Sequence, residues 1–138
     1  MFDQCLYFNT AALARQLEKA WTRAFAPFDL TPPQAFMLRA ILDHPGLLQG
    51  ELAASLAIAR PTATRAMDGL EGKGLIARRR SGRDGREQCV HPTPAAVALH
   101  PALNAASAAV TRRLKKLLGE PVFRDTVASL RAIRTALG

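Results

Sequence analysis

Along the first part of the chain, Leu6, Leu13, Leu17, Trp21, Phe25 and Phe28 fall on one helical face, with Arg15, Glu18, Lys19 and Arg23 on the other. This spacing predicts an amphipathic helix over about residues 5–26, ended by Pro27. Thr31-Pro32-Pro33-Gln34 then reads as an N-cap, prolines in the first turn and a capping-box Gln. The helix it opens carries Phe36, Met37, Ala40 and Ile41 and stops near Asp43, before His44-Pro45-Gly46.

Two short helical patterns follow. Glu51 to Leu56 turns Leu52, Ala53 and Leu56 inward, and a second segment starts near Pro61 and ends at Gly72 and Gly74. Its stripe is Ala63, Ala66, Met67 and Leu70, which leaves Thr62, Thr64, Arg65 and Asp68 off the core. Two short helices joined by a tight turn form a helix-turn-helix pattern. The runs Leu75–Arg80 and Arg86–His91 flank Gly82 and the Asp84-Gly85 pair, which is hairpin chemistry. A hairpin directly after the second helix makes a winged helix. The rest is helical, alanine-rich from a Thr93-Pro94 cap, with a kink expected near Pro101 and a last helix after Gly119-Glu120-Pro121. Phe123, Val127, Leu130, Ile133 or Arg134, and Leu137 mark the stripe of that last helix.

Composition narrows the class. At 138 residues the chain is expected to be one domain with its own core, and 49% apolar residues argue against disorder. Cys5 and Cys89 make no secreted disulfide framework and no zinc pattern. His44, His91 and His100 lack ligand spacing, so neither a metal nor a cofactor is expected. The N-terminus lacks the features of a signal peptide, and prolines break the longest uncharged stretch, Gln88 to Thr111, so no membrane span is expected. These features point to a cytoplasmic protein.

The formal charge of +8 is concentrated in two blocks: residues 60–86 carry a net +5, as do residues 112–138. In the first block, Arg78, Arg79, Arg80, Arg83 and Arg86 crowd the hairpin, and Arg60 and Arg65 lie on or beside the exposed face of the second helix. Arg suits bidentate contact with guanine or phosphate, a helix fits the major groove, and a hairpin tip can carry an Arg into the minor groove. Double-stranded DNA is the partner this arrangement suits; a protein-interaction module without DNA binding is the alternative. Hydroxyls at Thr62 and Thr64 either cap the helix or contact DNA. In the second block, Arg112, Arg113, Lys115, Lys116, Arg124, Arg131 and Arg134 read as a solvated face of dimerisation helices. No nucleophile–base pair, Gly-rich phosphate loop or metal signature supports an enzyme.

The chain resembles the MarR family of bacterial winged-helix regulators along essentially its whole length. The residues that carry the likeness are Leu30-Thr31-Pro32-Pro33-Gln34, Glu51-Leu52-Ala53, Pro61-Thr62-Ala63-Thr64-Arg65, Asp68 through Ile76, the wing Arg83-Asp84-Gly85-Arg86, and Thr93. The resemblance implies a mainly α fold: a winged helix-turn-helix core at about residues 30–92 with a two-stranded β-wing, flanked by dimerisation helices at about 1–29 and 93–138. It implies a homodimer on a pseudo-palindromic operator, usually a repressor. Arg60, Pro61, Thr62, Thr64 and Arg65 would enter the major groove, with Arg80, Arg83, Asp84 and Arg86 on the wing. Ala59 and Arg60 stand where a Ser or Asp cap is conventional.

Two signals are compatible with this reading. Many such regulators bind a small aromatic effector between the dimerisation helices and the winged helix, where Trp21, Phe25, Phe28 and Phe36 could line a pocket or simply form core. A peroxide-sensing branch carries a reactive cysteine near the start of its first helix, as Cys5 stands here, and an oxidant would then be the signal. That branch places a tyrosine where this chain has Pro32, and the only tyrosine here is Tyr7.

Overall fold

The computed structural model describes residues 1–81 and 87–138. Helix α1 (Leu6–Phe25) is followed by a 3-10 turn at Ala26–Phe28 that absorbs Pro27. Helix α2 (Pro32–Asp43) opens on the expected reciprocal cap: Gln34 N–H donates to Thr31 Oγ1 at 3.3 Å, and Thr31 N–H donates to Gln34 Oε1 at 3.1 Å. Strand β1 (Leu47–Leu48) leads into α3 (Gln49–Ser55), and α4 (Arg60–Gly72) follows. Between α3 and α4, Ala57 holds the left-handed conformation at φ 54°, which turns the chain sharply enough to bring the two helices together.

The wing consists of β2 (Ile76–Arg80) and β3 (Gln88–Pro92), antiparallel with Arg78 opposite Val90 and Arg80 opposite Gln88. Sequence periodicity predicts two strands here, whereas the sheet has three in the order β1-β3-β2, because Leu47 and Leu48 pair with Val90 and Cys89. Helix α5 (Pro94–Leu118) runs unbroken through Pro101, and α6 (Glu120–Leu137) closes the chain. Pro101 and Val97 lie on the exposed side of α5, where the carbonyl that the proline leaves unpaired can meet water.

The core gathers at the winged helix. Phe25, Leu38, Ile41, Leu52, Met67, Leu70, Val90 and Leu103 are essentially without solvent contact, joined by the predicted α4 residues Ala63 and Ala66. Thr93 stitches three elements together: its N–H donates to Leu75 O at 3.0 Å, its Oγ1 donates to Gly74 O at 2.7 Å, and that same Oγ1 accepts from Ala96 N–H at 3.4 Å. Helix α5 is tied to α1 by Trp21 Nε1 donating to the buried Ser107 Oγ at 3.1 Å, and to α2 by Arg39 Nε donating to Asn104 Oδ1 at 2.8 Å. Nearby, His100 Nε2 lies 3.2 Å from Asp43 Oδ1 but forms no aligned hydrogen bond with it.

The ends of the chain are different. Helix α6 buries no residue, and Leu6, Leu13, Leu117, Leu118, Val122, Val127 and Leu137 are all exposed; the start of the expected α1 stripe and much of the α6 stripe are therefore left uncovered by the described residues, whereas Phe25 is buried and Trp21 and Phe28 pack on the core. No helix among the described residues is long and apolar enough to cross a membrane.

Candidate nucleic-acid interface and effector groove

Helix α4 starts without a side-chain cap, because Ala59 stands at its N-cap position. Its first-turn N–H groups therefore keep their anion-binding potential. Arg60, Pro61, Thr64 and Arg65 are exposed on this helix and Thr62 is half-buried. The Thr64 hydroxyl donates back to Arg60 O at 2.9 Å, leaving its lone pairs outward. Arg60 and Thr64 line a crevice of about 240 Å³ that α3 closes with Gln49 and Gly50 and the foot of β3 closes with Glu87.

The arginine run of β2 divides. Side chains alternate along a strand, so Arg78 and Arg80 share one face and Arg79 takes the other. Arg78 is only 15% exposed and is held by four bonds: Nε to Glu71 Oε2 at 3.1 Å, Nη2 to Glu71 Oε1 at 3.1 Å and to Asp68 Oδ1 at 2.6 Å, and Nη1 to Gln49 Oε1 at 3.2 Å. These bonds raise the affinity of the guanidinium for its proton and hold the Glu71 carboxyl below its ordinary range, the hydrogen bonds from Arg78 being the largest cause. Arg78 therefore braces the wing against α4 and α3. The sequence groups Arg78 with the DNA-facing arginines of the hairpin, whereas here it is a paired brace; the signal for that role is the pair Asp68 and Glu71, three apart on one helix face just before the strand. Arg79 and Arg80 are exposed and, with Arg60 and Arg65, form no ion pair to any described residue. Arg83, Asp84 and Arg86 lie outside the described residues.

A second site opens between α1, α2 and the α3–α4 turn: a groove of about 560 Å³ walled by Leu17, Trp21, Pro33, Phe36, Leu56 and Ile58, with Glu18 as the single charged residue among the described residues that line it. Trp21 and Phe36 line it as the sequence suggested. Phe25 does not: it is fully buried behind Phe36, edge-on at a centroid distance of 5.9 Å. Phe28 packs against the core and is not among the groove walls. Cys5 is the exposed N-cap residue of α1, with no cap hydrogen bond from its side chain, and its neighbour Tyr7 is also exposed. Cys89 is half-buried in β3, and both thiols are free. Among the described residues no three His, Cys, Asp or Glu side chains gather as metal ligands would.

A helix-turn-helix braced to a cationic wing, between two helices at one end and two at the other, defines a winged-helix transcriptional regulator. A sequence model of the MarR family matches residues 28–87. A candidate transcriptional regulatory protein for the hcr operon of Thauera aromatica is 40% identical over 68 residues, which span 49% of this chain and 41% of that protein. The transcriptional repressor CouR, solved on a 23-mer DNA duplex, superposes with a TM-score of 0.85 at 30% identity, covering 97% of this chain and 94% of its own. CouR bound to p-coumaroyl-CoA gives 0.84 at 28% identity with the same coverage of 97% and 94%. The chain belongs to the MarR family of winged helix-turn-helix transcriptional regulators, and it spans less than two thirds of the length of the curated relatives it matches.

Proposed function

We propose that the chain is a homodimeric repressor that reads a pseudo-palindromic operator and releases it when an aromatic effector enters the α1–α2 groove. The observation that carries the DNA-binding part is the division of charge: Arg60, Arg65, Arg79 and Arg80 are exposed around α4 and β2 and form no ion pair among the described residues, while Arg78 is used to fix their mutual position. Arg60, Pro61, Thr62, Thr64 and Arg65 enter the major groove in this reading, and Arg80, Arg83, Asp84 and Arg86 serve the wing. The uncovered apolar faces of α1, α5 and α6 pair with those of a second copy, with residues 1–29 and 93–138 as dimerisation helices. The apolar groove and the likeness to CouR with p-coumaroyl-CoA support an aromatic acyl thioester as effector.

The test is titration of duplexes from the regulator's own upstream region at several salt concentrations. Log affinity should fall against log salt with a slope near −0.9 per neutralised phosphate. Arg86→Ala should weaken binding by about 1–3 kcal/mol if it makes a specific groove contact. Salt-insensitive association with no preference among duplexes would instead favour a protein-interaction module. The oxidant reading rests on the exposure of Cys5 alone. It requires organic hydroperoxide to release DNA from wild type and not from Cys5→Ser.

A further inference from the structure

The effector groove is apolar except at one edge, where Glu18 stands, and among the described residues no cation is in its walls. A free aromatic acid placed there would bring its carboxylate beside the Glu18 carboxylate with no cation on the groove side of the helix between them, a like-charge arrangement that disfavours binding. A neutral linkage in the same place carries no such penalty. Glu18 also belongs to a second depression of about 450 Å³, on the adjoining face of α1, bordered by Arg15, Lys19, Thr22 and Arg23. The two sites therefore meet at this one residue. The three cations extend along about 12 Å of helix axis at 1.5 Å per residue, and none is paired with any described residue. They thus differ from Arg78, whose charge is already matched.

We infer that groove and strip form one two-part site, in which Trp21 and Phe36 take an uncharged aromatic acyl head, Glu18 rejects the free acid, and Arg15, Lys19 and Arg23 hold a phosphate-bearing tail. This rests on the effector reading above and adds the residues that would set its specificity. The head lies against the helical faces that join α1 to the α3–α4 turn, and the tail adds negative charge to the protein that must approach DNA. Each half works in the direction of release.

The experiment is calorimetric titration of the full-length protein with p-coumaroyl-CoA, p-coumarate and CoA, alongside release of operator DNA by each. Wild type should take the thioester at least tenfold more tightly than either fragment. Lys19→Ala with Arg23→Ala should weaken the thioester at least tenfold and leave p-coumarate unchanged. Glu18→Gln, an exposed near-isosteric change, should tighten p-coumarate several-fold. Equal affinity of wild type for acid and thioester, or charge variants that leave the thioester unaffected, overturns the two-part site and leaves the groove as an effector site. Silence toward all three ligands overturns the effector reading and this inference together, while DNA binding measured without ligand stands separately.

Discussion

Gly69 sits on α4 where that helix crosses α2, and a Cβ built there collides with Gln34 Nε2; the next atom, Gln34 Cδ, is 3.5 Å away and nothing else lies within 4 Å. On an open helix, Gly→Ala stabilises by about 0.8–1 kcal/mol. Here the Gln34 amide must move, and its Oε1 is the acceptor that completes the Thr31 cap of α2. Losing that half of the cap costs about 0.5–1 kcal/mol. The two effects are of equal size, so Gly69→Ala should change stability by less than about 0.5 kcal/mol. With Gln34 already replaced by Ala, the obstacle and the bond are both gone, and Gly69→Ala should then stabilise by the full amount of about 1 kcal/mol. Urea unfolding of the four proteins at one fixed protomer concentration measures the coupling, since association otherwise shifts the midpoint. An equal effect of Gly69→Ala in both backgrounds would refute the reasoning.

Removing the brace and removing a contact should have different signatures. Arg78→Met should weaken operator binding with an unchanged salt slope, while Arg65→Ala should reduce the magnitude of the slope by about 0.9 if that side chain neutralises one phosphate. Because Arg78 lowers the Glu71 pKa from its ordinary 4.5, their interaction stabilises the fold above that pH and is lost as pH falls through the lower, folded value. Wild type should therefore lose stability more steeply than Glu71→Gln in acid below about pH 4.5, as read by circular dichroism during acid titration. Ala57→Gly relieves a left-handed alanine and should stabilise by about 0.5–1 kcal/mol in urea.

The elements that could be read from the sequence are those whose ends carry their own chemistry. Thr31 with Gln34, Thr93, and Gly74 mark helix boundaries through local bonds, and the alternation of small and large apolar residues on α4 identifies its buried side without reference to anything distant. Strand β1 escapes because two leucines show no period, and only pairing with β3 makes them a strand. The arginine run was legible as charge but not as roles, since the partners of Arg78 come from α3 and α4. Aromatic spacing likewise placed Trp21, Phe25, Phe28 and Phe36 together without separating the groove wall from the core behind it. The stripes of α1 and α6 were plain as amphipathic faces, yet among the described residues only the C-terminal half of the α1 stripe meets the core.

The three bonds at Thr93 join the start of α5 to the exits of α4 and the wing strand, so these parts move as one piece. Helix α5 has 25 residues and is about 37 Å long. In a dimer held at the far end of that helix, a change of tilt of only about 5° would move the reading head by about 3 Å, close to the rise of one base pair. In such a dimer Thr93 would make α5 a lever whose useful stroke is the smallest step that DNA can distinguish. In the dimer proposed above, an effector would need only to adjust an angle, not unfold or detach anything, to take the two halves out of register with their sites.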